Sequence, residues 1–201
     1  DAVAVFSRDP GTGALTFVEA QLDGVGTDGL DGASSVVVSP DGLSVYVTGA
    51  DDDAVAVFDR DLIAGTLTFV EVETSTLAFP LIDARSVVIT PDGSFVYLMY
   101  TEDEPPPYDR SQLAAFERDA ITGELSSVNA GVGLIQPAGP LTSRMVVSPD
   151  GSHLYTGADY LAQFELLGNG ELSFIYWALL GPIFNVGPVG GQDSVAISPD
   201  G

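Results

Sequence analysis

Ser39-Pro40-Asp41-Gly42-Leu43-Ser44-Val45-Tyr46-Val47-Thr48-Gly49 is the stretch on which the reading of this chain turns. Pro fixes φ, Asp bonds the neighbouring backbone and Gly accepts a positive φ, so the first four residues form a tight turn. Val36-Val37-Val38 precede the turn and Val45-Tyr46-Val47 follow it, which is strand chemistry on both sides. The segment is a β-hairpin, and it recurs. Thr90-Pro91-Asp92-Gly93, Ser148-Pro149-Asp150-Gly151 and Ser198-Pro199-Asp200-Gly201 repeat the turn at spacings of 51, 58 and 50 residues.

Outward from each turn the same order of elements returns. An apolar run (strand A) leads into the turn, and a Tyr-bearing run (strand B) leaves it. A run ending in Phe6, Phe58, Phe116 or Phe164 follows (strand C). A Gly-x-Leu step at Leu15, Leu67, Leu125 or Leu172 then opens strand D. Alternating segments such as Ala2-Val3-Ala4-Val5-Phe6 and Leu67-Thr68-Phe69-Val70-Glu71 support strand, and no segment keeps a helical period over ten residues.

Four short antiparallel strands repeated about every 50 residues describe the blade of a β-propeller. The predicted class is all-β: about four blades in one propeller region, 1–201, forming part of a larger ring of seven or so. The expected divisions are a partial blade at 1–19, blades at 34–71, 85–128 and 143–176, and the start of a further blade at 194–201. The pattern is cut at both ends, so the expectation is a piece of a longer chain.

Composition narrows the function classes. Among 201 residues there are 29 acids, 6 Arg, no Lys and no Cys, for a formal net charge of -23. Nucleic acid and anionic membrane surfaces would repel such a chain. No apolar run approaches the roughly 20 residues of a membrane span. The absence of Cys removes disulfides, thiolate metal sites and Cys nucleophiles, and a single His, His153, builds neither a triad nor a zinc site. The expected setting is extracellular, periplasmic or cell-surface, in high salt or seawater, where screening shortens the self-repulsion.

Residues 39–71 carry a family resemblance. Ser-Pro-Asp-Gly-x-x-Val-Tyr-Val-Thr-Gly, then Asp-Asp-Ala-Val-Ala-Val-Phe-Asp-Arg-Asp, then Gly-Thr-Leu-Thr-Phe-Val-Glu resembles the lactonase-type seven-bladed β-propellers and the related YVTN-repeat surface proteins. The resemblance implies the propeller fold across the chain. For activity it implies either a sugar-lactone hydrolase or a surface protein, with the enzyme's site at the channel mouth.

Internal repetition separates scaffold from exception. Arg8, Arg60 and Arg118 stand at one equivalent position before Asp9, Asp61 and Asp119, which predicts blade-building residues paired locally with Asp. Arg85 and Arg144 are different. Two successive positions before strand A carry Ser34, Arg85, Ser143 and Asp193, then Ser35, Ser86, Arg144 and Ser194. Strand A is innermost, so Arg85, Arg144 and Asp193 would stand at the channel mouth, where Arg can hold a carboxylate or phosphate. The alternative is that they pair with one another or with Asp83. Asp51, Asp52 and Asp53 in a tight loop, and Asp23, Asp28 and Asp31 in a Gly-rich one, offer oxygen ligands of the kind Ca²⁺ takes, or form solvated acidic loops. Trp177, Leu180 and Phe184 lie in an apolar loop that reads as an interface with further blades or a protein partner.

Two expectations follow. The first is a secreted or cell-surface propeller acting as a binding or structural scaffold through its loop-rich face. The alternative is a lactonase-type hydrolase that opens a small sugar lactone at the channel mouth.

Overall fold

Each Ser/Thr-Pro-Asp-Gly segment closes as its chemistry requires. The Ser39 amide donates to the Ser44 carbonyl, the Gly42 amide to the Ser39 carbonyl, and Asp41 Oδ1 accepts the Leu43 amide, with Gly42 at φ +76°. The turns at Thr90 and Ser148 repeat the pattern. The structure, a computed structural model, describes residues 1–74, 81–101, 111–133, 144–157, 160–179, 195–198 and 200, with the backbone alone for 129–133, 160 and 177–179.

The strands are β1 (Ala2–Arg8), β2 (Leu15–Leu22), β3 (Ala33–Val38), β4 (Ser44–Gly49), β5 (Ala54–Arg60), β6 (Leu67–Thr74) and β7 (Ser86–Ile89). They continue as β8 (Phe95–Thr101), β9 (Ser111–Arg118), β10 (Leu125–Gly133), β11 (Arg144–Val147), β12 (His153–Gly157), β13 (Tyr160–Leu166) and β14 (Leu172–Leu179). The described residues contain no helix. The strands pair antiparallel in chain order as the two-stranded sheet β1-β2 and three four-stranded sheets, β3–β6, β7–β10 and β11–β14. These are blades 1 to 4. Residues 195–198 form no strand.

The innermost strands lie side by side, β3 next to β7 and β7 next to β11, so the sheets fan around an axis. The core lies between blades. Tyr46, Val55 and Val57 of blade 2 pack against Val96, Leu98 and Phe116 of blade 3. Tyr97 and Leu113 of blade 3 pack against Leu154 and Phe164 of blade 4. Radial four-stranded sheets with apolar faces pressed together define a β-propeller.

Strand D runs three residues past its expected end in blades 1, 2 and 4 and five in blade 3, because a β-bulge breaks the alternation that pattern reading follows. Phe6 faces Phe17 while Val5 faces Glu19, leaving Val18 unpaired; Phe58, Phe69 and Val70 repeat this, as do Phe164, Phe174 and Ile175. The facing rings meet edge to face at 5.6–5.8 Å. Beyond the bulge, Glu19 and Glu71 reach the next blade and accept the amides of Leu67 (2.6 Å) and Leu125 (2.8 Å).

The expected local Arg–Asp pairing is not a direct ion pair, although the charges of Arg60 and Arg118 still favour the ionised Asp61 and Asp119. Asp9, Asp61 and Asp119 each spend Oδ1 on two amides of their own turn, Asp119 on those of Ile121 and Thr122. Arg118 instead crosses to blade 2, where it meets Asp41 Oδ2 (2.8 Å), Ser44 Oγ (3.1 Å) and Tyr46 Oη (3.0 Å). Burial works against the Asp41 charge, but the Ser39 hydroxyl, the Leu43 amide and Arg118 outweigh it and hold its carboxyl below the usual range. The phenols of blades 2 and 3 complete the seam: Tyr46 donates to the Gly123 carbonyl (2.8 Å) and Tyr97 to that of Gly170 (3.1 Å). Burial pushes the Tyr97 hydroxyl up to about 12.

Candidate functional site

At the end of the fan where strand A begins, the described loops are pinned to one another. The loop entering β3 is tied to the loop leaving β4, with the Asp31 amide on Asp52 Oδ2 (2.8 Å). The loop entering β7 is tied to the same element, with the Asp83 amide on Asp53 Oδ1 (2.8 Å). Loops pinned to one face of a rigid scaffold are where binding groups accumulate.

Ser34 is the hub of this face. Its hydroxyl lies 3.0 Å from Thr48 Oγ1 and donates to the carbonyls of Ala84 (3.2 Å) and Arg85 (3.3 Å). Its own carbonyl accepts the Arg144 guanidinium at 3.4 Å, so a side chain of blade 4 reaches the inner strand of blade 2. Arg85 holds Asp83 Oδ2 through Nε at 2.7 Å, with side chains 49% and 30% exposed, so the guanidinium keeps a free edge toward solvent. The Arg85 backbone and the Arg144 guanidinium thus meet at one Ser34, and Arg144 borders a gap of about 400 Å³ between β3 and the unpaired edge of β1, with Ser34, Val36 and Val3. Asp193 lies outside the described residues.

Sequence reasoning missed what the neighbouring serines do. Ser35 Oγ accepts the Val87 amide of the next blade, and Ser86 Oγ accepts that of Met145, each at 3.3 Å. The small hydroxyl repeated at this position stitches one inner strand to the next. Arg144 occupies the equivalent position in blade 4, so the stitch gives way to a cation there. The same-position comparison singles it out; the role of the serine that it replaces is visible only in three dimensions.

The acids resolve into a different grouping from either run read along the chain. Carboxylate oxygens of Asp23, Asp28 and Asp52 lie within 4.8 Å of one another. All three already accept a backbone amide, Asp23 that of Leu30, Asp28 that of Gly29 and Asp52 that of Asp31. Asp53 is turned away to Asp83, and the Asp51 backbone lies against Gly32. The three grouped acids supply the hard oxygens that Ca²⁺ prefers. The Trp177 backbone lies in β14, not in a loop, and pairs with Ala162 of β13, whereas its side chain, Leu180 and Phe184 lie outside the described residues. His153 sits at the start of β12 with Nδ1 2.7 Å from Ser152 Oγ, as part of a turn.

Comparison with known proteins places this architecture. The model of the family described as lactonase, 7-bladed beta-propeller, matches residues 1–139. The chain belongs to that family. A crystal structure of a candidate 6-phosphogluconolactonase from Bacteroides uniformis superposes with a TM-score of 0.69 at 18% identity, covering 89% of this chain and 49% of that one. The periplasmic gluconolactonase of Pseudomonas aeruginosa gives 0.63 at 20% identity, covering 90% and 51%. At such identities the likeness is one of fold. An uncharacterised protein of Staphylococcus epidermidis is 31% identical over 93 residues, 46% of this chain and 24% of that protein. The chain spans about half the length of the matched structures and a smaller share of that relative. Among the described residues no helix is long and apolar enough to cross a membrane.

Proposed function

We propose that this chain contributes to a lactonase-type hydrolase that opens a sugar lactone bearing an anionic group, with the strand-A end as its site. The observation that carries the reading is the nearness of two exposed cations to Ser34 in a chain whose net charge is -23: the Arg144 guanidinium donates to the Ser34 carbonyl, and the backbone carbonyl of Arg85 accepts from the Ser34 hydroxyl. Two exposed cations held on one face of so acidic a protein favour an anionic ligand, and a guanidinium can grip a carboxylate or phosphate with two bonds.

In the hydrolysis, a water oxygen forms a bond to the lactone carbonyl carbon and the ring C–O bond breaks. One water proton passes to the departing ring oxygen and the other to solvent, leaving a hydroxy acid. Arg144 would hold the anionic group. The free edge of Arg85 would face the oxyanion that develops on the carbonyl. Asp83, held by Arg85 and by the hydrogen bond its own amide donates to Asp53, would take a proton from water. The family match favours this reading over a surface scaffold, and the periplasmic relative makes a periplasmic setting the one to test first.

A pH-stat assay with glucono-δ-lactone and its 6-phosphate tests the reading. Hydrolysis well above the spontaneous rate is expected, with a preference for the anionic lactone. Arg144→Ala should raise KM mainly, and adding Arg85→Ala should lower kcat/KM by roughly 10²-fold or more. Hydrolysis at the spontaneous rate, or a double variant as active as the parent, would refute it.

A further inference from the structure

The seam of blades 2 and 3 and the seam of blades 3 and 4 share a backbone plan and differ in their cation. Arg118 pairs with Leu125 across the C–D turn, and Leu166 pairs with Leu172 in the same register. Leu166 therefore stands where the guanidinium of the earlier seam is rooted. What that guanidinium would meet is still present. Tyr97 holds the position of Tyr46 and Asp92 that of Asp41, at the same count from each Pro-Asp-Gly turn. Phe95 replaces Ser44, and its ring lies over Gly170, within 2.6 Å of where a Cβ would stand. The C–D turn is also one residue shorter here, with eight steps from Phe164 to Leu172 against nine from Phe116 to Leu125.

The loss leaves polar groups half satisfied. Tyr46 Oη donates to the Gly123 carbonyl and accepts from Arg118 Nε. Tyr97 is 0% exposed and donates to the Gly170 carbonyl, but among the described residues nothing donates to its oxygen. Asp41 Oδ2 takes Arg118 at 2.8 Å. Asp92 keeps the turn bonds of its Oδ1, from the Thr90 hydroxyl and the Ser94 amide, and no cation among the described residues pairs with it. Tyr97 and Asp92 border a cavity of about 620 Å³ that Leu166 and Leu167 line on the blade-4 side. Glu117 and Asp150 stand at the same cavity, and no described Arg or His lines it. Three carboxylates, a phenol oxygen and an aromatic ring around one space complement a flat, weakly hydrated cation.

We propose that this cavity binds an alkylguanidinium, free in solution or carried on an arginine side chain of a partner, in the place that Arg118 fills one seam earlier. Its N–H groups would donate to Asp92 Oδ2 and to the Tyr97 oxygen, as those of Arg118 do to Asp41 Oδ2 and Tyr46. Its plane would lie against the Phe95 ring, and Glu117 and Asp150 would draw it in by charge. The site is at the Pro-Asp-Gly end of the strands, opposite the strand-A end, and stands independently of the hydrolase reading. A ligand would thus join blades 3 and 4 where the chain's own arginine joins blades 2 and 3.

The test is calorimetric titration of the intact natural polypeptide with L-argininamide, L-lysinamide and the peptide Gly-Gly-Arg-Gly-Gly. Saturable binding of argininamide is expected, roughly 10-fold tighter than that of lysinamide, whose ammonium lacks the planar fork. A peptide that binds more tightly than argininamide would make a partner's arginine the source, and the reverse order a free compound. Asp92→Asn should weaken binding roughly 10-fold. Asp41→Asn, at the turn whose cation is internal, should leave it unchanged and controls for a weakened turn. Leu166→Arg combined with Phe95→Ser rebuilds the earlier seam, and should abolish binding while raising the unfolding temperature. If that double variant does not fold, the contrast of Asp92→Asn with Asp41→Asn decides. No binding at millimolar argininamide overturns the proposal, as does binding that Asp92→Asn leaves unchanged. Equal binding of argininamide and lysinamide would mean attraction to the acidic surface as a whole, and overturns it too.

Discussion

The Tyr46 hydroxyl joins two blades at one oxygen: it donates to the Gly123 carbonyl, 77 residues away, and accepts from Arg118 Nε. Tyr46→Phe keeps the ring in its core and removes both bonds, leaving a buried donor without its partner. The expected loss is about 1–3 kcal/mol in urea unfolding. Tyr97→Phe should cost about 1 kcal/mol, toward the low end of that range, because its recorded partner is the neutral Gly170 carbonyl.

Glycine at the C–D turn is required for different reasons in different blades. Gly65, Gly123 and Gly170 all have φ near +80°, so an alanine costs about 1–2 kcal/mol at each. At Gly123 the new Cβ would also press on Ser44 Oγ at 2.6 Å, adding about 1–3 kcal/mol. Thermal unfolding of Gly123→Ala against Gly65→Ala on the 201-residue chain should therefore show the first to be the less stable by that difference. Equal losses would mean that the seam at Ser44 yields easily.

Arg118 serves four acceptors with a side chain that is 2% exposed. Arg118→Lys keeps the charge but not the fork, and a compact ammonium cannot reach Asp41, Tyr46 and the Gly93 carbonyl together. A loss of about 1.5–3 kcal/mol is expected in chemical denaturation. A lysine variant as stable as the parent would show that charge alone holds the seam.

Asp150 is held at about 2 by the Ser148 hydroxyl, then by the amide and hydroxyl of Ser152. An unfolded Asp titrates near 3.9, roughly. A carboxyl whose pKa is lower in the fold stabilises it above the unfolded value and loses that contribution as pH falls toward the folded one. The stability difference between parent and Asp150→Asn should close progressively from about pH 4 to pH 2. Comparing the two proteins cancels the protonation of the other acids. A gap that stays constant down to pH 2 would contradict the assignment.

Much of the fold could be read from one turn and its repeats, because Pro-Asp-Gly has local chemistry that needs no tertiary context. Seams were harder. Arg118 and Asp119 are adjacent in sequence, and adjacency suggested a pair; the Asp side chain is claimed by its own turn, and only three dimensions bring Asp41 within reach. The bulges at Val18 and Val70 hid the true ends of strand D by reversing the alternation midway. At the channel mouth, Arg85 and Arg144 stood out as departures from serine, but their meeting at Ser34 joins blades 2, 3 and 4 and leaves no linear signature. The grouping of Asp23 and Asp28 with Asp52 is likewise a product of loop packing.

Among the described seams, each phenol and each bulge-displaced glutamate points the same way, from a blade to its successor. Every unit therefore has a giving side and a receiving side, like the two ends of a bar magnet. A unit copied by duplication arrives with both, and it can be inserted between existing neighbours without inventing a new interface. Head-to-tail contacts of this kind end only when the circle is complete. The number of units is then set by the angle between them, and the bonds within the seam place no limit on it.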